Sequence, residues 1–264
     1  MKPAAFRYER PETVEEAAAL LAEHGDEAKV LAGGQSLVPL LNFRLLRPAV
    51  LVDVNRVAGL DRIEGERVGA TVRQSDFAGV PLAAEALPSV GHLVTRNRGT
   101  VGGSIAHADP SAELPLCLLV LGGSVVTSKG RELPADDFFR SHFTTALEPD
   151  ELVVETVWPG GGSVAFEEVA QRHGDFALSL AACSVRVVDG TVTEARLGVG
   201  AVTDRPRLLE LGLEGAPASE ETAREAGARA AAAVDPPANL HASPAYLRHL
   251  TGVLVERVLA RAFA

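Results

Sequence analysis

The chain has 264 residues, of which 47% are hydrophobic and 23% charged, a composition typical of a globular protein with a sizeable core. Its formal net charge of −10 argues against nucleic acid as a partner, because the sequence has no basic patch. Cys117 and Cys183 lie in apolar stretches without CxxC spacing, which argues against a disulfide framework, a zinc site or an iron–sulfur cluster on this chain. Residues 1–10 lack the apolar core of a signal peptide, and no run reaches the roughly 18 apolar residues that span a bilayer. We therefore expect a cytoplasmic protein without a transmembrane segment.

The first 56 residues predict a small α/β unit. Thr13 and Glu16 have the spacing of a capping box, and Gly25 is typical of the end of the helix that they begin. An apolar strand then leads into the Gly33-Gly34 pair, and Ser36 is a candidate cap for a second helix. The predicted helices cover residues 14–24 and 37–44, and the predicted strands cover residues 28–32 and 50–54.

Residues 57–162 predict a second α/β unit. Its strands are expected at residues 60–63, 68–72, 124–128 and 152–158, and an apolar helix at residues 112–121. A helical pattern also runs through residues 75–95, where Pro81 and Pro88 break it. Residues 159–162 read Pro-Gly-Gly-Gly, which is typical of a flexible connection.

Residues 163–264 predict a third unit of a different character. Strands are expected at residues 164–169, 177–188 and 191–202, and the last two form a hairpin through Asp189-Gly190. Two helices, the first of them alanine-rich, are predicted at residues 220–234 and 244–264.

Two Gly-Gly pairs carry the strongest chemical signal. A single pair is typical of a tight turn, but Gly33-Gly34 and Gly102-Gly103 are each followed by a serine and an apolar run. Glycine lets main-chain N–H groups approach a ligand closely, so two such turns suit a ligand with two adjacent phosphates. Neither GxGxxG nor GxxxxGK[ST] occurs, which argues against a Rossmann fold and a P-loop.

Longer motifs surround these pairs. They are AGGQSL at residues 32–37, RGTVGGS at residues 98–104, AHADP at residues 106–110, RHGDFA at residues 172–177 and YLR at residues 246–248. In these motifs, and over essentially its whole length, the chain resembles the FAD-binding medium subunit of the molybdenum hydroxylases. Aerobic carbon monoxide dehydrogenase represents this family best, and the flavin domain of xanthine dehydrogenase is related to it.

The resemblance implies an α+β architecture, the PCMH-type FAD-binding fold. Two α/β subdomains would hold FAD between them, and a C-terminal domain would consist of a three-stranded antiparallel sheet and helices. On this chain the three parts correspond to residues 1–56, 57–162 and 163–264.

The resemblance also implies which residues bind FAD. Backbone N–H groups of both glycine motifs would hold the pyrophosphate, in agreement with the argument from glycine. The implied cofactor-binding residues are Lys29, Val30, Leu31, Ala32, Gly33, Gly34, Gln35, Ser36, Leu37, Thr100, Gly102, Gly103, Ser104, Ala106, Asp109, Glu113, Asp175 and Phe176. Glu113 stands where family members usually have an Asp that bonds the adenosine part, and Asp175 and Phe176 match a segment near the isoalloxazine ring.

His107 and Asp109 allow two interpretations. They lie two residues apart beside the second glycine motif, so they could form an acid–base pair. We favour the alternative, in which Asp109 caps the helix after Pro110 and His107 is structural. We therefore predict no catalytic residue and no metal ligand on this chain.

The function implied by the resemblance is electron transfer through non-covalent FAD. A large molybdopterin-binding subunit and a small subunit with two [2Fe–2S] clusters would be the partners, in a dimer of heterotrimers, and those cofactors would belong to the partners only. Two alternatives stay open: a self-sufficient FAD-dependent oxidoreductase, and a nucleotide-binding scaffold without redox activity.

Overall fold

The computed structural model describes residues 2–264, and its first unit is built on a three-stranded parallel sheet. The elements are β1 (Arg7–Glu9), α1 (Val14–His24), β2 (Ala28–Leu31), α2 (Leu37–Asn42) and β3 (Val50–Asp53). The strand order β1-β3-β2 places β3 in the centre, where all four of its residues are buried. Helix α1 begins as predicted, since the Thr13 side chain accepts a hydrogen bond from the Glu16 N–H. The first glycine motif follows the carboxyl end of β2.

The second unit is a five-stranded antiparallel sheet with several short helices. Its elements are β4 (Ile63–Glu64), β5 (Arg67–Gly69), α3 (Pro81–Ala86), α4 (Leu93–Arg96), α5 (Val101–His107), α6 (Glu113–Val120), β6 (Ser124–Thr127), β7 (Glu132–Pro134), α7 (Ala135–Phe138), β8 (Phe139–Ser141), β9 (Thr144–Thr145) and β10 (Val153–Val157). The sheet order is β4-β5-β10-β6-β7, and β8 pairs separately with β9. All residues of α6 are buried, so this apolar helix lies at the centre of the core.

The third unit is an antiparallel sheet with two long helices. Its elements are β11 (Ser163–Ala170), β12 (Ala177–Val188), β13 (Thr191–Gly200), β14 (Arg207–Leu208), α8 (Glu220–Ala233) and α9 (Pro244–Phe263). The sheet packs on α9 with one face and on α3 and α6 with the other. It has four strands rather than the predicted three, because Arg207–Leu208 pairs with the end of β13. A two-residue strand is too short for alternation to reveal.

Two other parts of the chain differ from the sequence-based expectation. The strand expected at residues 60–63 is reduced to Ile63–Glu64, preceded by a turn. Residues 75–95 form α3, α4 and tight 3₁₀ turns. Pro81 starts α3 instead of breaking a helix, because the first helical position needs no N–H donor.

The longest helix, α9, has 20 residues, but charged side chains recur along it. Within residues 2–264, no helix is both long enough and apolar enough to cross a membrane.

Candidate cofactor site

The first glycine motif presents a row of free backbone donors. Within residues 2–264, the N–H groups of Gly33, Gly34, Gln35 and Ser36 donate to no protein acceptor. Gly34 has a φ of 73°, a left-handed conformation that turns successive N–H groups toward one side of the chain. The motif therefore offers four free backbone donors, which suit an anion. Ser36 does not cap α2 as predicted, since its hydroxyl makes no cap hydrogen bond.

The second glycine motif is the start of a helix rather than a loop. Thr100 is the N-cap of α5, and its Oγ1 accepts from the Gly103 N–H at 3.0 Å. The Gly102 N–H donates to Ala70 O at 3.0 Å, and the Ser104 N–H donates to Thr100 O at 3.1 Å. The prediction of free N–H donors is therefore wrong for these three residues. What the motif offers instead is the positive end of a helix dipole.

Close packing explains why glycine stands at Gly102. A Cβ atom there would lie 2.5 Å from the Ala70 Cα, so α5 approaches the chain after β5 more closely than any side chain permits. A Cβ atom at Gly103 would lie 2.5 Å from Thr100 Oγ1, the atom that caps the helix.

The two glycine motifs are in direct contact, although they belong to different sheets. A Cβ atom at Gly33 would lie 2.4 Å from Arg98 O and 2.8 Å from the Gly99 Cα. A Cβ atom at Gly103 would be 3.7 Å from the Ala32 Cβ. The fold thus brings together the two motifs that the sequence analysis assigned to one site.

A hydrogen-bonded pair that sequence reasoning missed holds the two motifs together. Arg73 donates from Nη2 to Asn55 Oδ1 at 2.7 Å and from Nη1 to Arg98 O at 2.8 Å. Asn55 in turn donates from Nδ2 to Ala32 O at 2.9 Å. Each motif is therefore tied to the pair through one carbonyl. Burial, and then the nearby charge of Arg98, lower the pKa of Arg73.

Asp53 supports Asn55 from the end of β3. Its Oδ1 accepts from the Asn55 N–H at 2.9 Å, and the Tyr8 hydroxyl donates to its other oxygen. Burial raises the pKa of Asp53, but the hydrogen bonds from Tyr8 and Asn55 outweigh it and leave the pKa lowered. Asp53 is therefore an ionised anchor for the Asn55 side chain.

Several other predicted residues line the first motif. Lys29, Val30 and Leu31 form the half-buried end of β2, directly before the glycines. A Cβ atom at Gly34 would lie 3.3 Å from Leu31 Cδ1, and Gln35 Nε2 donates to Gly33 O at 3.1 Å. Leu37 is the first residue of α2.

Ala106 and Asp109 lie at and beyond the end of α5. Asp109 Oδ1 accepts from the Ser111 N–H at 2.9 Å, so it stabilises a turn and does not cap α6, whose N-cap is Ala112. The predicted helix-capping role of Asp109 is therefore wrong. The His107 ring packs on Phe143 with centroids 5.0 Å apart, and burial lowers the pKa of His107 although the charge of Asp109 opposes this.

Glu113 stands in the first turn of α6 and is 8% exposed. Burial raises the pKa of its carboxyl to about 8, and the charges of Glu168 and Asp109 act in the same direction. At neutral pH Glu113 is therefore mostly protonated and can donate a hydrogen bond.

Asp175 and Phe176 lie on the loop between β11 and β12. Asp175 pairs with Arg172 at 3.0 Å, and the Phe176 ring is 76% exposed. Within residues 2–264, no hydrogen bond joins this loop to either glycine motif. The loop instead reaches the turn before α4, where the rings of His92 and His173 are 6.0 Å apart.

The residues present fit a dinucleotide. Four free N–H groups, a helix N-terminus beside them and backbone contacts too close for a Cβ atom are the features expected of a pyrophosphate cradle. Fold and site together define a flavin-binding subunit of the PCMH type.

Comparison with known proteins agrees with this class. Residues 4–160 match the model of the FAD binding domain in molybdopterin dehydrogenase, and residues 164–262 match the CO dehydrogenase flavoprotein C-terminal domain. The chain belongs to this family of molybdopterin dehydrogenase flavoproteins.

Relatives and solved structures match over nearly the full length. The 6-hydroxypseudooxynicotine dehydrogenase complex subunit alpha of Paenarthrobacter nicotinovorans is 40% identical, over 99% of this chain and 96% of the relative. The carbon monoxide dehydrogenase medium chain of Hydrogenophaga pseudoflava is 33% identical, over 100% and 99%. A structure of carbon monoxide dehydrogenase from Hydrogenophaga pseudoflava superposes with a TM-score of 0.94 at 34% identity, over 99% of this chain and 98% of that one. The predicted fold class and family are thereby confirmed.

Proposed function

We propose that this chain accepts electrons from the [2Fe–2S] clusters of a partner subunit and passes them to an external acceptor by means of non-covalently bound FAD. FAD supplies the redox chemistry when it is bound. The observation that carries the proposal is the row of free N–H groups from Gly33 to Ser36, which lies against the start of α5. This chain binds the pyrophosphate there, fixes the position of the cofactor and controls the access of solvent to it.

The two cysteines support placing the iron–sulfur clusters on another chain. Both are fully buried and hydrogen-bonded to backbone carbonyls, Cys117 to Leu82 and Cys183 to Val258. Burial raises the pKa of Cys183 to about 12 and raises that of Cys117 as well. A cluster ligand must be a thiolate, and these thiols resist deprotonation.

The assembly we propose has this chain as the medium subunit, with a large molybdopterin subunit and a small iron–sulfur subunit, in a dimer of heterotrimers. Relatives support a multi-subunit assembly, since their names describe subunits and medium chains of dehydrogenases. We further propose the boundaries 1–56, 57–162 and 163–264 for the three parts of the chain, and a cytoplasmic location.

The experiment is an electron-transfer measurement on the co-expressed complex. The clusters are reduced anaerobically, an artificial acceptor is added, and reoxidation of the clusters and of flavin is followed by absorbance. We expect flavin-dependent reoxidation that is lost when FAD is removed and restored when FAD is added. Equal rates of cluster reoxidation with and without FAD would overturn the proposal.

A further inference from the structure

The C-terminal sheet has two faces with different partners, and Glu168 lies on the face toward the FAD-binding part. Side chains alternate between the faces of a strand. In β11, Ala165 packs in the cluster that contains α8 and α9, and Glu167 pairs with Arg257 of α9 at 3.1 Å. Phe166 packs on the other side, in the core that contains α6. Glu168 shares that face with Phe166, so its carboxyl lies between the two parts of the chain.

The Glu168 carboxyl lacks a hydrogen-bond partner for one oxygen. Its Oε2 is buried and has no partner within residues 2–264. Burial raises the pKa of Glu168 to about 7, against the opposing effect of a hydrogen bond from Ser89. Buried polar atoms are nearly always paired, so an unpaired carboxyl oxygen between two domains needs an explanation.

Glu113 belongs to α6, the helix that packs on the sheet face where Glu168 lies. Glu168 lies opposite Leu180 in the sheet, and Leu180 lies opposite Gly200. The chain leading into α6 crosses this row, since a Cβ atom at Gly200 would lie 2.9 Å from Pro110 O. Glu113 follows three residues later, and among acidic side chains the charge of Glu168 raises its pKa the most. The pKa of the Glu113 carboxyl is lowered in turn by a backbone hydrogen bond from its own residue, but burial outweighs this effect.

Glu168 also adjoins the loop that the sequence assigned to the flavin ring. Its neighbour Ser89 precedes Gly91 and His92 by two and three residues. A Cβ atom at Gly174 would lie 2.8 Å from the His92 ring, and Asp175 and Phe176 follow directly. Glu168 thus lies on the sheet face that packs on α6, the helix that Glu113 begins, and its partner Ser89 leads into the turn that contacts residues 173–174.

We propose that Glu168 is a cofactor-binding residue, whose free carboxyl oxygen accepts a hydrogen bond from a hydroxyl or ring N–H group of the dinucleotide held at the first glycine motif. The inference rests on the proposed function and adds a contact from the C-terminal domain. FAD carries both kinds of donor, on its ribityl and ribose groups and on its rings. The bound cofactor would satisfy the oxygen that the chain leaves unpaired.

The proposal predicts opposite effects on stability and on binding. In the cofactor-free chain, replacing Glu168 removes an unpaired buried oxygen, so the melting temperature stays equal or rises. The same change removes a ligand contact, so FAD binding weakens. A residue with only a structural role would lower the melting temperature and leave FAD affinity unchanged.

The test is an FAD titration of the full chain, followed by flavin fluorescence, together with thermal unfolding of the cofactor-free protein. The variants are Glu168→Ala and Glu168→Met, which remove the oxygen acceptor, with Glu167→Gln as the control on the opposite face of the same strand. We expect Glu168→Ala to raise the Kd for FAD about tenfold, as loss of one good hydrogen bond does, without lowering the melting temperature. Competition with FMN and with ADP shows which half of FAD donates, because only the half in contact loses affinity in the variant.

The outcomes are distinguishable. If the wild-type chain binds FAD and both Glu168 variants bind it as tightly as Glu167→Gln, the inference is wrong while the proposed function stands. If the wild-type chain binds no FAD, alone or in the complex, both are wrong. If Glu168→Ala fails to fold, Glu168→Met decides, since it keeps the approximate size of the side chain without an oxygen acceptor.

Discussion

Arg73 and Asn55 join the first two sheets by a hydrogen bond of 2.7 Å from Nη2 to Oδ1. Through the carbonyls of Arg98 and Ala32, this pair fixes the two glycine motifs relative to each other. A pyrophosphate that contacts both motifs depends on that spacing, because binding groups act best when they are held in place before the ligand arrives.

Replacing Arg73 with Met should therefore weaken FAD binding. The substitution keeps the apolar stem of the side chain but removes both hydrogen bonds, so we expect about a tenfold higher Kd and a loss of roughly 1 to 3 kcal/mol of unfolding free energy. Arg186→Met is the control, since Arg186 pairs with Glu194 on the surface, far from the motifs in sequence. Unchanged FAD affinity in Arg73→Met would show that the pair does not position the site.

Gly34→Ala tests the free donors of the first motif. At a φ of 73°, alanine is strained by about 1 kcal/mol, and its Cβ would lie 3.1 Å from Val38 Cγ2. We expect a folded chain that has lost most of its FAD, measured as flavin per chain after purification. Gly130→Ala has the same strain at a φ of 72° in a turn with open space, and it should retain FAD. Equal retention in the two variants would refute the role of Gly34.

Gly103→Val should also abolish FAD retention, through the helix start. The added side chain would meet Thr100 Oγ1, displace the cap and shift the first turn of α5. Gly79→Val is the control, because a Cβ atom at Gly79 meets nothing within 4 Å. The measurement is FAD content together with the melting temperature. A Gly103→Val chain with normal FAD content would contradict the placement of the cofactor beside α5.

The raised pKa values of Glu113 and Glu168 predict how the stability of the cofactor-free chain depends on pH. In the folded chain the pKa is about 8 for Glu113 and about 7 for Glu168, whereas the ordinary value in an unfolded chain is 4.5. Between these values both carboxyls keep their proton when the chain is folded and lose it when the chain unfolds. At these two positions the folded state then binds more protons, so their contribution to the unfolding free energy falls as the pH rises from about 4.5 to about 8.

Urea unfolding across that pH range measures the effect. Glu113→Gln has no proton to release at that position, so its unfolding free energy should fall less steeply than that of the wild type. If Glu113→Gln retains the full slope, Glu113 is not protonated in the folded chain at neutral pH.

Local sequence patterns were sufficient for much of the fold. The cap at Thr13 and the apolar run of α6 predicted those helices, because capping and hydrophobic burial act over a few neighbouring residues. The hairpin between β12 and β13 followed from alternation and the Asp189-Gly190 turn. By contrast, β1 was missed, since three exposed or half-buried residues carry no periodic signal and the strand forms only by pairing with β3.

The candidate site was predictable only in part, for a related reason. The free donors of Gly33 and Gly34 follow from local backbone geometry, and a Gly-Gly pair indicates that geometry in the sequence. The start of α5 at Gly102-Gly103 resembles a turn in sequence. Only the contact with Ala70 explains why residue 102 is a glycine. Arg73 and Glu168 lie in no motif, because the hydrogen bonds of Arg73 form between segments distant in sequence and the role proposed for Glu168 depends on its place between two domains.

The most direct test of the central claim is an absorbance spectrum of the purified chain before and after addition of FAD, with extraction and identification of the bound nucleotide. We predict flavin bands from a single non-covalent FAD per chain, either in the chain as purified or after titration. A folded chain that binds no flavin at saturating FAD, both alone and co-expressed with its partner subunits, would contradict the assignment of the glycine motifs to FAD.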